Sequence, residues 1–189
     1  PLTGLFSFQA HLNGGSGVGK TTALYSNTGI WGKPVKLCSG SDDSMYSHMN
    51  RLERWKNMVG NLDEKSNVTA KDVSSYCYTG AEGQQRNRLK SSGNEERYRG
   101  DPWRMSSCST GNISYWELLQ RTKANPEAEM QRVLEFNVAK YMDKHRMAEM
   151  NKKEGLPTTI TGKLFDDVQK NYGNFTVDYV QHIINYRAD

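Results

Sequence analysis

The residues with the clearest chemical pattern lie near the start of the chain, in the segment Gly14-Gly15-Ser16-Gly17-Val18-Gly19-Lys20-Thr21. This spacing matches a phosphate-binding loop, in which glycines let successive backbone N–H groups point at a phosphate. The lysine of such a loop reaches the β- and γ-phosphates, and the hydroxyl that follows it binds magnesium. We therefore expect ATP and Mg²⁺ to bind here, with ATP contacted by Gly14, Gly15, Ser16, Gly17, Val18, Gly19, Lys20, Thr21 and Thr22.

Two adjacent carboxylates, Asp63 and Glu64, follow a short apolar segment further along the chain. After a strand, the aspartate would hold the magnesium together with Thr21, and the glutamate would polarise the attacking water. An acidic pair taken alone also fits a solvated loop, and Gly60 and Asn61 interrupt the preceding apolar run. Combined with the loop, the pair favours ATP hydrolysis over phosphoryl transfer to a small molecule.

Two further polar residues are candidates for catalysis. Asn112 follows a predicted strand, where its amide would hydrogen-bond the γ-phosphate or orient the water, although Gly111-Asn112 is equally typical of a turn. Arg132 opens another predicted strand, and an arginine there also fits a structural ion pair. The predicted catalytic set is Lys20, Asp63, Glu64, Asn112 and Arg132.

Alternating strands and helices must position these side chains. Strands are predicted at Leu5–Leu12, Val35–Cys38, Met58–Leu62, Trp103–Ser109 and Arg132–Val138. Helices are predicted at Lys20–Ile30, at Asp42–Trp55, from Val68 onward and at Ser114–Thr122. This order predicts an α/β fold with a five-stranded parallel sheet flanked by helices. We expect residues 1–138 to form the core and residues 139–189 a small helical subdomain.

Positive charge is concentrated in one segment. Lysine and arginine exceed aspartate and glutamate by 25 to 21, and the segment 86–104 carries three of these four net charges. Its Gly93-Asn94 pair is typical of a hairpin tip, which predicts a basic hairpin insertion near 80–102. Such a hairpin would bind nucleic-acid phosphates without reading sequence, whereas a solvated loop neutralised by Glu95 and Glu96 is the alternative.

Several other classes of protein are disfavoured. No apolar run approaches the length of a membrane span. The three cysteines and four histidines have neither disulfide-framework nor zinc-site spacing, so we expect a reducing compartment, the cytoplasm, or that of the host if the protein is viral. Because the chain begins at Pro1, we expect it to be a piece of a longer polypeptide.

The ordered motifs resemble a family of phage and plasmid ATPases, catalogued as domain of unknown function 927. The resemblance runs from about Leu5 to about Ile184 and rests on GGSGVGKTTAL, WGKP, LDE, GAEGQQRNRLKSSGNEER, WRMSSCSTGN, AEMQRVLEF and NYG. Members of this family are similar to superfamily III helicases of the AAA+ class. The resemblance therefore implies a phosphate-loop NTPase fold of that class.

The resemblance also implies a role for each candidate. Lys20 and Thr21 would be Walker A residues, Asp63 and Glu64 Walker B residues and Asn112 sensor 1. Arg132 would be an arginine finger that reaches the ATP of a neighbouring subunit, so a ring, usually a hexamer, would be the active form. The hairpin would grip DNA in the central pore through Arg86, Arg88, Lys90, Arg97 and Arg99.

Some assignments stay open at this point. Arg97 or Arg99 is an alternative arginine finger. Gly60, Asn61 and Lys65 depart from the usual Walker B pattern. Three functions are compatible with the sequence: a motor that acts on single-stranded or forked DNA in phage or plasmid replication, which we prefer, a nucleotide-gated switch or loader on DNA, and a small-molecule kinase.

Overall fold

The described part of the chain is built around one parallel sheet. The computed structural model describes residues 7–40, 42–56, 58–63, 68–87, 89, 93, 95–96, 98–141 and 160–187. These residues form four strands: β1 (Phe8–Asn13), β2 (Gly60–Leu62), β3 (Ser106–Gly111) and β4 (Val133–Asn137). The strands lie in the order β2-β3-β1-β4, and every pair is parallel. The carboxyl ends of all four strands therefore meet at one edge of the sheet.

Helices connect the strands and cover the sheet. They are α1 (Lys20–Gly29), α2 (Pro34–Leu37), α3 (Met45–Trp55), α4 (Ala70–Glu82), α5 (Tyr115–Gln120), α6 (Glu127–Met130), α7 (Val138–Tyr141), α8 (Ile160–Lys170) and α9 (Asn174–Arg187). Polar caps determine where several begin: Ser44 accepts from the Ser47 amide, and Thr69 forms a reciprocal capping box with Asp72. The α3 helix therefore begins after Ser44 and not at Asp42, where the sequence predicted its start.

The prediction of five strands is wrong for the described residues. The segment predicted as a strand, Val35–Cys38, is instead helical from Pro34 to Leu37, and the Cys38 amide donates to the Pro34 carbonyl over 2.8 Å. Proline at the first helical position has a φ suited to a helix and gives up an amide that would have no partner there. Only Ser39, just beyond this helix, makes an isolated parallel bridge to Leu62.

The core lies on the side of the sheet covered by α4 and α5. Its fully or almost fully buried side chains include Leu52, Leu62, Val73, Tyr76, Cys77, Trp103, Tyr115 and Leu119. Their burial removes a large apolar area from water, which is the main favourable contribution to folding. The buried Tyr76 hydroxyl lies 2.8 Å from Ser107 Oγ, so the aromatic layer is also hydrogen-bonded to β3.

The two C-terminal helices pack against α1. Phe165 of α8 stacks on Tyr25 with ring centroids 5.0 Å apart, and the Gly173 amide donates to the Gly29 carbonyl over 2.7 Å. Residues 142–159 lie outside the described residues. The predicted domain boundary between residues 138 and 139 thus stays a prediction. The described helices of the C-terminal part contact α1, the helix that follows the glycine loop.

Candidate functional site

A tight glycine turn joins β1 to α1. Backbone φ is positive at Gly14, Gly17 and Gly19, with values of 147°, 79° and 82°. A side chain at Gly14 would also place its Cβ 3.3 Å from Val18 Cγ2. Glycine is therefore required by the backbone path, and it leaves the amides of this turn beside the positive end of α1, whose first turn contains no acidic residue.

The Lys20 side chain is enclosed by this loop. It is 6% exposed, and its Nζ donates to the Gly14 carbonyl over 2.8 Å and to the Gly15 carbonyl over 2.7 Å. A third hydrogen bond of 3.1 Å joins Nζ to Asn112 Oδ1, just beyond β3. The structure thus brings together the predicted phosphate-binding lysine and the predicted γ-phosphate sensor.

Asp63 lies on the other side of the loop, directly after β2. Its Oδ1 accepts from Thr21 Oγ1 over 3.1 Å and from Thr110 Oγ1 over 2.8 Å. Hydroxyl and carboxylate oxygens are the hard donors that Mg²⁺ prefers, so the predicted pair fits this ion chemically. Glu64, which directly follows Asp63, lies outside the described residues.

The unusual residues of β2 have structural roles. Asn61 is fully buried, its Nδ2 donates to Thr28 Oγ1 over 2.7 Å, and its Oδ1 accepts from Asn27 Nδ2 over 3.2 Å. A Cβ on Gly60 would lie 2.5 Å from Leu52 Cδ2. These residues therefore attach the Asp63 strand to α1 and to α3, which explains why the apolar pattern is interrupted there.

Arg132 is remote from the loop of its own chain. Arg132 precedes the first residue of β4, Val133, which pairs with Gln9 at the start of β1. The glycine loop follows the other end of β1, where Asn13 pairs with Asn137. These two ends of the paired strands lie about 13 Å apart, at 3.3 Å per residue. The guanidinium carbon lies 4.5 Å from the centre of the Tyr78 ring, and Nη1 donates to the Ala128 carbonyl. The structure does not bring Arg132 to its own Lys20.

The predicted basic hairpin has cross-connections between its two arms. The Trp103 amide donates to the Gly83 carbonyl over 2.7 Å, Arg99 Nε donates to the Gln85 carbonyl over 2.6 Å, and Leu89 forms an antiparallel bridge with Glu96. Of its predicted nucleic-acid contacts, Arg86 and Arg99 are described and exposed, whereas three lie outside the described residues: Arg88, Lys90 and Arg97.

One buried residue near the loop was not predicted as part of the site. His11 of β1 is fully buried, stacks on Tyr115 at 3.7 Å, and places Nδ1 2.9 Å from Ser109 Oγ. Its Nε2 lies 3.2 Å from the Ile113 carbonyl, which can only accept, so we assign the proton to Nε2.

Burial lowers the pKa of His11 below 6.5, and the nearby Lys20 charge adds to this effect, while Glu135 and the Ile113 carbonyl oppose it. The neutral imidazole thereby holds the turn that follows β3, next to Asn112. The alternation of polar residues Gln9, His11 and Asn13 in a central strand was the available signal for a buried polar face.

An open cavity of about 530 Å³ adjoins the loop. Its wall includes Gly15, Asn112, Trp116, Glu135 and Asn137. Glu135 accepts from the Tyr115 amide over 2.6 Å and from Ser114 Oγ over 3.0 Å, so this carboxylate caps α5 from the neighbouring strand. Its oxygens are thus engaged in holding the wall of the cavity.

The described residues contain no group of three or more histidine, cysteine and acidic residues arranged to hold a metal ion. Among the helices of the described ranges, none is long and apolar enough to cross a membrane.

Comparisons with known proteins agree with the architecture. The model of the family described as Domain of unknown function (DUF927) matches residues 1–99, more than half of the 189-residue chain. The chain is also similar to the solved structure of SCCmec type IV Cch, described as an active helicase, with a TM-score of 0.60 and 20% identity. That likeness covers 96% of this chain and 30% of the other, so this chain spans under a third of that protein. No curated protein gives a significant match.

Proposed function

We propose that this chain, which belongs to the family described as Domain of unknown function (DUF927), is the ATP-hydrolysing motor domain of a helicase-like protein that acts on DNA. The observation that carries the proposal is the convergence of Lys20, Asn112, Thr21 and Asp63 on one glycine loop. These residues come from the carboxyl ends of β2 and β3 and from the start of α1. Ligands of open parallel α/β sheets bind at this edge.

Each residue at the loop has a task that its position supports. The amides of the turn and the Lys20 ammonium would bind the β- and γ-phosphates, and Asn112 would accept or donate at the γ-phosphate or its attacking water. Thr21 and Asp63 would hold Mg²⁺, which when bound neutralises charge on the phosphates. We assign activation of the water to Glu64, the carboxylate next to Asp63.

Arg132 supports a ring as the active form. It lies at the opposite end of β4 from the loop and is held against Tyr78, so it cannot act on the ATP of its own chain. We propose that it contacts the ATP of a neighbouring subunit, where its charge would stabilise the transferring phosphoryl group. A hexameric ring is the arrangement that we expect.

The substrate that we propose is single-stranded or forked DNA. The cross-connected hairpin projects Arg86 and Arg99 into solvent, and the same segment of the sequence contains Arg88, Lys90 and Arg97. Cations along one hairpin bind phosphates irrespective of base sequence, as a translocating motor requires. The description of the similar structure as an active helicase supports the same substrate class. We assign the activity to replication of a phage or plasmid.

An assay of the unwinding of a fluorescently labelled DNA fork distinguishes the proposed motor from a nucleotide-gated switch or loader. We expect strand separation that requires ATP and Mg²⁺ and is lost in Lys20→Ala. The matched control is Lys36→Ala, because Lys36 is an exposed lysine of α2 that contributes nothing to the loop. ATP-dependent association with DNA without strand separation would instead indicate the switch or loader, and transfer of phosphate to a nucleoside or sugar would indicate the kinase.

A further inference from the structure

A second concave surface lies at the base of the hairpin, away from the glycine loop. Two adjoining cavities of about 420 and 440 Å³ share Tyr46, Gln85 and Arg86 as lining residues. One continues along α3 and α4 to Lys71, and the other continues beneath the hairpin to Tyr98 and Arg99. We call this continuous surface the hairpin groove, defined by Tyr46, Lys71, Gln85, Arg86, Tyr98 and Arg99.

Two tyrosine rings of the groove are turned toward solvent. Tyr46, in the first turn of α3, is 59% exposed, and Tyr98, on the returning arm of the hairpin, is 76% exposed. The Tyr98 hydroxyl donates to Asp101 Oδ1 over 2.5 Å, which restrains the ring at its polar end and leaves its faces accessible. Exposed aromatic faces on a restrained support are suited to stacking with planar ligands.

The charges of the groove favour a polyanion. Lys71, Arg86 and Arg99 are exposed, whereas the two lining carboxylates, Glu53 and Asp72, are half-buried.

Both carboxylates already accept hydrogen bonds within the protein. Glu53 accepts from Gln85 Nε2 over 2.8 Å and from the Asp101 amide over 3.2 Å, and Asp72 accepts from the Thr69 hydroxyl over 2.7 Å. Glu53 therefore joins α3 to the base of the hairpin, Asp72 caps α4, and the cations are exposed on the open side.

Polar contacts join the hairpin side of the groove to α3. Gln85 Nε2 also donates to Asn50 Oδ1 over 2.8 Å, and Lys56 of the α3 end pairs with Asp101 over 2.7 Å. The two arms of the hairpin are thus bound to α3 by several polar contacts. These contacts place the base of the hairpin beside the helix that carries Tyr46, and both Tyr46 and Tyr98 line the same cavity.

We infer that the hairpin groove binds a segment of single-stranded DNA, with bases stacked on Tyr46 and Tyr98 and with phosphates contacted by Lys71, Arg86 and Arg99. This inference rests on the proposed function, because it specifies how the DNA of the motor is held. Cations along a groove that also presents aromatic platforms are the combination by which proteins bind single strands irrespective of sequence. Tyr46 and Lys71, which belong to the helices, extend the contact beyond the hairpin cations.

Binding of a labelled oligothymidylate, compared with an abasic oligonucleotide of the same length, tests this inference by fluorescence anisotropy at fixed salt. Stacking predicts that the wild-type protein binds the thymidylate more tightly. Tyr46→Ala and Tyr98→Ala are each expected to weaken thymidylate binding about tenfold and to leave abasic binding unchanged. Tyr46→Phe keeps the ring and should bind as the wild type does.

The control is Tyr186→Ala, which removes a ring that is 75% exposed on α9, outside the groove. If both groove variants bind thymidylate as the wild type does, the groove assignment is overturned while the DNA motor stands. If the wild-type protein binds neither oligonucleotide, the proposed function itself fails. Equal weakening of thymidylate and abasic binding in the groove variants would also overturn stacking.

Discussion

Lys20 Nζ donates a hydrogen bond of 3.1 Å to Asn112 Oδ1, joining two residues that stand 92 positions apart in the chain. The same ammonium donates to the carbonyls of Gly14 and Gly15. A phosphate that binds in the loop must compete with these three acceptors for the lysine. Under the proposed function, Asn112 would lie beside the γ-phosphate and would respond to its presence.

Replacing Asn112 with alanine tests this relationship. The variant keeps the loop but removes the polar group that we propose contacts the reacting phosphate, so we expect ATP hydrolysis to fall about 100-fold, as for other preorganised transition-state contacts. Binding of a fluorescent ATP analogue should change far less. Steady-state phosphate release and equilibrium titration separate the two effects, and equal losses in both would contradict the sensor role.

Arg132 permits a subunit-mixing experiment. Arg132→Ala and Lys20→Ala proteins should each be nearly inactive, because one would lack the proposed finger and the other the proposed phosphate-binding lysine. If the protein forms the proposed ring, mixed rings would contain interfaces where an intact loop meets an intact arginine, so phosphate release should recover partly on mixing.

Arg132→Lys, which retains the charge, provides the control for the contact with Tyr78. If the contact with Tyr78 contributes little to stability and the arginine acts mainly in trans, the two variants should unfold at the same thermal midpoint. Full activity of Arg132→Ala by itself would refute the assignment.

The buried imidazole of His11 makes stability depend on pH. Its pKa lies below 6.5 in the folded protein because burial disfavours the charged form. As the pH falls, the His11 side chain therefore binds a proton in the unfolded chain before it does so in the folded protein. The contribution of the neutral His11 to the free energy of unfolding is consequently lost as the pH falls below 6.5.

We expect the free energy of unfolding of the wild-type protein to decrease more steeply between pH 6.5 and acidic pH than that of His11→Gln. Urea titrations at a series of pH values measure this difference. Identical pH slopes for the two proteins would show that His11 is not buried in its neutral form.

Gly60 tests the packing that positions Asp63. A Cβ there would meet Leu52 Cδ2 at 2.5 Å and Met105 Sδ at 3.2 Å, and Leu52 is 1% exposed, so the contact cannot relax into solvent. Gly60→Ala should lower the free energy of unfolding by about 1–3 kcal/mol, as measured by urea denaturation. The control is Gly40→Ala, whose new methyl group would have no atom within 4 Å. Equal stability of the two variants would contradict the close approach of α3 to β2.

Local patterns predicted the loop well because its conformation depends on neighbouring residues. Glycine spacing and the lysine that follows are sufficient to define residues 14–21, and the end of β2 at Leu62 follows from a short apolar run. The strand predicted at Val35 is wrong because Pro34 begins a helix there, a local signal that opposes the β-branched side chain of Val35.

The remaining features depend on partners distant in the chain. In the sequence Asn61 interrupts the apolar run of its strand, whereas in the structure its amide is paired with Thr28, 33 residues away. His11 contacts Ser109 across 98 residues, which no local pattern shows. The partner that we propose for Arg132 belongs to another subunit. The structure of one chain therefore shows only that Arg132 is distant from the glycine loop of its own subunit.

The central claim is that Lys20 and its loop hydrolyse ATP in response to DNA. Phosphate release by the wild-type protein and by Lys20→Ala, each with and without oligothymidylate, tests it most directly. The account predicts ATP hydrolysis by the wild-type protein that rises when single-stranded DNA is added, and a loss of about 100-fold or more in the variant. Hydrolysis that is indifferent to both DNA and the Lys20 substitution would contradict it.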